Sequence, residues 1–166
     1  MLLDEFFNYK NQLMNDLISN DEIVRLMHDD YKTISDPASL IYTQIFPYEH
    51  LPETAEHGLT YICCDVDIRK SLNKTFLLPT LSIWVFTHYS KMRLPKGGVR
   101  VDQLCAEIAE QINGSRYYGL GELTLYSVDR FSPMSDFQGK EMIFNTTDFN
   151  RTTPTGQGVP SNRKRG

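Results

Sequence analysis

Residues 81–87 read Leu-Ser-Ile-Trp-Val-Phe-Thr. In an extended chain Leu81, Ile83 and Val85 fall on one side and Ser82, Trp84 and Phe86 on the other. Both sides carry large groups, which predicts a central strand covered on both faces. Residues 91–100 then read as a loop. From Val101 the period changes: Val101, Leu104, Cys105, Ile108 and Ile112 recur at three-and-four spacing, with Asp102, Glu107, Glu110 and Gln111 off that stripe. This predicts a helix over 101–113 that covers the sheet, ended by Gly114, which can adopt a left-handed backbone.

Upstream, Leu2, Leu3, Phe6, Phe7, Leu13 and Leu17 form a helical stripe. Ser19-Asn20-Asp21 interrupts it with capping residues, and Ile23, Val24 and Met27 support a further turn or two over 22–28. Asp36-Pro37 opens a segment over 38–45 that suits either a short helix or an extended run. Pro47 and Pro52, with His50 and Glu53, mark a surface loop. Residues 61–69 alternate strictly, which places Ile62, Cys64, Val66 and Ile68 inward and Tyr61, Cys63, Asp65, Asp67 and Arg69 on a wet face. A turn over 71–74 would make this strand and the central one an antiparallel hairpin. After the helix come a strand over 123–128, a loop over 132–139 and a strand over 141–148.

The expected fold is therefore α+β. N-terminal helices precede a mainly antiparallel four-stranded sheet, with one helix packed on it between the second and third strands in chain order. At 166 residues, 40% of them hydrophobic, the chain suits one domain over 1–150, of which 1–45 is a mostly helical lead-in. Residues 151–166, rich in Thr, Pro and Gly with a lone Val159, bury too little apolar surface to offset ordering and predict a flexible tail. The net charge of −4 is uneven: that tail holds Arg151, Arg163, Lys164 and Arg165 and no acid, leaving thirteen bases against twenty-one acids before it, a net of −8. An acidic body does not suit a duplex-binding module, so no specific nucleic-acid binding is expected. No apolar run approaches the roughly 18–20 residues that span a bilayer, and Asp4 and Glu5 stand where a secretory signal would carry bases. The expectation is a cytoplasmic product with no membrane partner.

Candidate chemistry is sparse. No glycine loop, zinc-protease helix or nucleophile elbow is present, and Gly97-Gly98 and Gly119-Leu120-Gly121 lack the spacing and context of phosphate sites. Cys63, Cys64 and Cys105 read as reduced core residues, with no second ligand pair at zinc spacing. Asp65 and Asp67, on one strand face, can share a divalent cation as in a metal-dependent nuclease. Arg69 stands where such enzymes set a lysine, and Lys70 points the other way, so solvated carboxylates are the better reading. His28, His50, His57 and His88 form no ligand pair on one element; His88 fits a hydrogen-bonded place at the sheet rim. Trp84 and Phe86 read as packing. No catalytic residue, metal or cofactor is expected. The basic loop bearing Lys91, Arg93, Lys96 and Arg100 is long for a simple connection and is a candidate subunit contact. The tail bases Arg151, Arg163, Lys164 and Arg165 are candidates for a partner contact.

An ordered set of segments resembles the tail terminator, or tail completion, proteins of tailed bacteriophages. Ile45-Phe46-Pro47-Tyr48 precedes the first strand, Trp84-Val85-Phe86-Thr87-His88 closes the central one, and Gly98-Val99-Arg100-Val101-Asp102 enters the helix. Asn113-Gly114-Ser115 and Gly119-Leu120-Gly121-Glu122-Leu123 follow. Ser127-Val128-Asp129-Arg130-Phe131-Ser132-Pro133 lies on the third strand, and Thr146-Thr147-Asp148-Phe149-Asn150 ends the fourth. The resemblance spans 45–150. It implies a structural virion protein without catalysis, made in the host cytoplasm, forming a hexameric ring that caps the tail tube. The implied partners are copies of itself, the tail tube protein, a head-neck connector or stopper and, in a contractile tail, the sheath terminus. A head-completion or connector subunit of the neck is the related alternative, and a nuclease-like domain using Asp65 and Asp67 the unrelated one.

Overall fold

The computed structural model describes residues 3–28, 35–53, 58–71, 76–118 and 121–149. A 3-10 turn, Leu3–Glu5, leads into α1 (Phe6–Ser19) and then α2 (Asp21–Met27). Another 3-10 turn, Pro37–Leu40, precedes β1 (Ile45–Phe46). β2 (Thr60–Ser71) and β3 (Phe76–His88) are long, a short turn Tyr89–Lys91 leads toward α3 (Arg100–Ile112), and β4 (Thr124–Met134), β5 (Phe137–Asn145) and β6 (Asp148–Phe149) close the chain's described part. The sheet order is β1-β2-β3-β5-β4, with β6 paired to the start of β3. The class is α+β.

Local chemistry sets the element ends. Asn20 leaves α1 in an extended conformation, and its side-chain oxygen accepts from the backbone N–H of Glu22 (3.0 Å) and Ile23 (3.2 Å), which starts α2. Gly114 takes φ +80 just beyond α3, and its N–H donates to Leu123 O at 2.7 Å, steering the chain toward β4. All five residues of the expected α3 stripe are buried. With Leu13, Met14 and Leu17 of α1 and Ile23, Val24, Leu26 and Met27 of α2, they pack on Ile62, Cys64, Val66, Leu81, Ile83 and Val85. This aliphatic layer between helices and sheet is the main core.

The four expected strands are present and antiparallel, β2 with β3, β3 with β5, and β5 with β4. Two short strands extend the sheet: β1, parallel to β2 at Ile45↔Ile62, and β6. The 38–45 segment is neither helix nor strand throughout but a 3-10 turn, a bend and then β1. Phe7, expected in the buried stripe of α1, is 66% exposed, while Met14 takes a buried place.

Two sheet expectations change more. Residues 132–139 are mostly strand: β4 runs through Ser132 and Pro133 to Met134, and Ser135-Asp136 turns directly into β5. The ladder breaks register between Phe131 and Met134, and such a bulge on an edge strand tolerates a proline that has no N–H to give. The outer face of β2 is also not uniformly wet. Tyr61 and Cys63 are buried with Phe46, Phe86 and Phe137 in a second cluster, and the face opens only further along, at half-buried Asp65 and exposed Asp67. Tyr61 stacks near Phe86 (5.4 Å between ring centres), Phe86 meets Phe137 edge-on (6.0 Å), and Phe131 lies 5.7 Å from Phe86. Gly139 lies opposite Phe86 and Phe131, and a Cβ there would come within 1.9 Å of Val85 O. Only glycine fits that crossing.

Candidate assembly surface

The loop over 91–100 is built rather than slack. Arg93 bridges Val99, Leu94 accepts from Gly97 (3.0 Å) and donates to Gly98 (3.1 Å), and Gly97 and Gly98 sit at φ +91 and +96. Leu94 is buried beneath this turn. Arg93 and Lys96 are exposed at its tip and Lys91 is half-buried at its root. Arg100 is not part of the exposed surface, contrary to expectation. It is 1% exposed; its Nε donates to Lys91 O (2.8 Å), and its Nη1 donates to His28 O (3.1 Å) and to Leu26 O. The guanidinium thus supplies donors to the carbonyls at the end of α2, which is why a charged group can be buried there. The tail candidates Arg151, Arg163, Lys164 and Arg165, and His57, lie outside the described residues.

β4 is the long outer strand at one margin of the sheet; at the other, the two-residue β1 covers β2 only at Ile62 and Cys63. Among the described residues β4 pairs with β5 alone, and its residues Tyr126 (73%) and Val128 (42%) are exposed, with Asp129 and Arg130 beside them. The helical layer reaches β5, where Lys140 Nζ meets Asp102 of α3 at 2.6 Å and the carboxylate raises the lysine pKa. Val128, one strand further out opposite Met142, lies past that cover. An 11-residue edge strand with exposed apolar side chains is a template for pairing with another chain.

A second exposed apolar region lies by β1. Phe7, Tyr42 and Tyr48 flank an open groove of about 300 Å³ between α1 and the β1 turn. Sequence reasoning missed Tyr42, Tyr48 and Tyr126. An isolated tyrosine on a turn or strand carries no periodic mark, and only the fold shows which way these rings face.

Asp65 accepts from Lys10 Nζ of α1 at 3.0 Å and from Val66 N at 2.9 Å. Asp67 is exposed opposite Thr80. Among the described residues no three His, Cys, Asp or Glu side chains gather as metal ligands. His50 stacks on Phe46 at 3.9 Å, and His88 Nδ1 lies 2.7 Å from Ser90 Oγ at the rim of β3. The three thiols are unpaired and buried. Burial pushes Cys63 and Cys105 up to about 11 and Cys64 up to about 12, so they stay protonated and poorly nucleophilic at neutral pH. Among the described residues no helix is long and apolar enough to cross a membrane, which leaves strand-built membrane proteins unaddressed.

A sheet covered by helices on one face, with a long outer strand at β4 and exposed aromatics, defines an α+β domain. The YomW family profile matches residues 20–146, most of the described fold from α2 through β5, and the chain belongs to that family. The family name is phage-derived, and the chain is phage-related. No curated protein matches the chain.

Proposed function

We propose that this chain is a structural virion protein that assembles with copies of itself into a hexameric ring, caps the phage tail tube and joins it to the head or neck. The observation that carries the reading is the unpaired β4 margin. An edge strand that exposes Tyr126 and Val128 is a liability in a monomer and an asset in a ring, where each subunit offers its edge to the next. The phage family supports the setting, and the resemblance to tail terminators over 45–150 supplies the role. Arg93 and Lys96, exposed on a pinned turn of an otherwise acidic body, suit a contact with an acidic neighbouring surface. In this role the chain meets the tail tube on one side of the ring and a connector or stopper on the other. Imaging intact particles that carry a label on this chain tests the placement. Label at the junction of tail and head is expected, and label along the tube, at the distal tip or absent from particles overturns it.

A further inference from the structure

The groove between α1 and β1 has features that the ring contact at β4 does not use. Phe7 is 66% exposed, Tyr42 55% and Tyr48 47%, so three rings meet water around one concavity. Tyr42 is also held at φ +61, the one non-glycine residue at positive φ among the described residues. A bulky side chain in the left-handed region costs on the order of 1 kcal/mol or more. The turn holds it there by donating Tyr42 N–H to Ile45 O at 2.8 Å. The lining itself holds no acid and one base, Lys10, which is engaged by Asp65; the acids next to the lining in sequence are exposed Asp4, two residues before Phe6, and exposed Glu49, which follows Tyr48.

The chain itself contains a segment of complementary chemistry. Residues 151–166 carry Pro154 and the pair Val159-Pro160, followed three residues later by Arg163-Lys164-Arg165, with no acid. Proline-containing segments dock extended between aromatic rings at low ordering cost. Val159-Pro160 among the rings would leave the three bases free to meet the exposed carboxylates of Asp4 and Glu49. We infer that the groove receives the C-terminal segment of a second copy of this chain.

The second copy is favoured by where the segment starts. β6 pairs at Phe76 and Leu77, whereas β1 lies at the level of Val85 through Ile62. Nine residues of strand, about 30 Å, and three strand spacings of about 5 Å each (β6 to β3, β3 to β2, β2 to β1) separate the two places. The ten residues from Phe149 to Val159 reach about 33–36 Å when fully taut, about equal to that separation, so a chain's own segment would have almost no slack left to enter the groove. A neighbour's segment has no such constraint, and in a closed ring it straps each subunit to the next.

This inference rests on the ring reading for which neighbour supplies the segment, and the test separates the two. Full-length chains carrying Asn11→Cys are mixed with full-length chains carrying Val159→Cys under mild oxidation. The native thiols are buried and protonated, so the introduced pair dominates. A disulfide-linked heterodimer on a non-reducing gel is expected, reduced at least fivefold by Phe7→Ser with Tyr48→Ser in the first chain and by 1 M salt. Cross-linking no greater than that of a Lys96→Cys partner overturns the inference. So does a disulfide that forms only when both substitutions sit in one chain. A heterodimer cross-link in an assembly shown by light scattering not to be a ring leaves the groove contact standing and overturns the ring.

Discussion

The two faces of the sheet are finished by different means. On one, three helices lay an aliphatic layer over Ile62, Cys64, Val66, Ile83 and Val85, and every one of these is buried. On the other, no helix is present among the described residues; Phe46, Tyr61, Phe86 and Phe137 pack with Trp84, Phe131 and Met134 near the His88 end, while Asp67 toward the other end is open. A helical cover is local and periodic, so it stabilises the subunit from within. Phe131 and Met134, on either side of the β4 bulge, pack on the aromatic cluster, so the strand that completes this face is also an outer strand of the sheet. On the ring reading, stability and association therefore meet at β4.

Truncation within each face should break the subunit most. Phe86→Ala should cost about 4 kcal/mol and Ile108→Ala about 3 kcal/mol, read as shifts in urea midpoint, because each opens a cavity at a fully buried site. A Phe86→Ala loss under about 1 kcal/mol would mean that the aromatic face is not a core at all.

Alkaline titration reaches both faces at once, since Cys63 lies in the aromatic cluster and Cys64 and Cys105 in the aliphatic one. Burial raises all three thiols above their ordinary value of 9.0, so the folded chain keeps protons that the unfolded chain releases. The stabilisation is fully present below pH 9 and is lost as pH rises through about 11 to 12. At pH 9.5 the loss is about 1 kcal/mol per thiol. Replacing Cys64 and Cys105 with Ala should flatten this slope, and an unchanged slope would place its source elsewhere.

The elements most legible in the sequence were those whose partners are close by or whose period is strong. β3 and α3 follow from alternation and from the three-and-four stripe; Gly114 marks the end of α3, and Asn20 the break between α1 and α2, by chemistry that acts within a few residues. The join of β4 to β5 was not legible, because Ser132, Pro133, Ser135 and Asp136 are turn formers and a bulge lets two of them stay in a strand. Arg100 looked like one more base in an exposed loop. The carbonyls that hold it belong to Leu26 and His28, more than seventy residues earlier, and no local pattern reports them. The dryness of Cys63 likewise depends on Phe46 and His50 arriving from another segment. Of the candidate contact surface, sequence marked the basic turn but not the exposed aromatics.

The difference between a closed helical layer and an open β4 margin is tested most directly by the mass of the full chain in solution, measured by light scattering alone and mixed with tail tube protein, beside a Tyr126→Ser, Val128→Ser variant. Both substituted side chains are exposed, so the variant should keep its urea midpoint within about 0.5 kcal/mol of the parent. A parent mass near six times 19.2 kDa, collapsing toward a single chain in the variant, is the expected result. A parent that remains at 19.2 kDa with and without tube protein would contradict the reading of β4 as a ring contact.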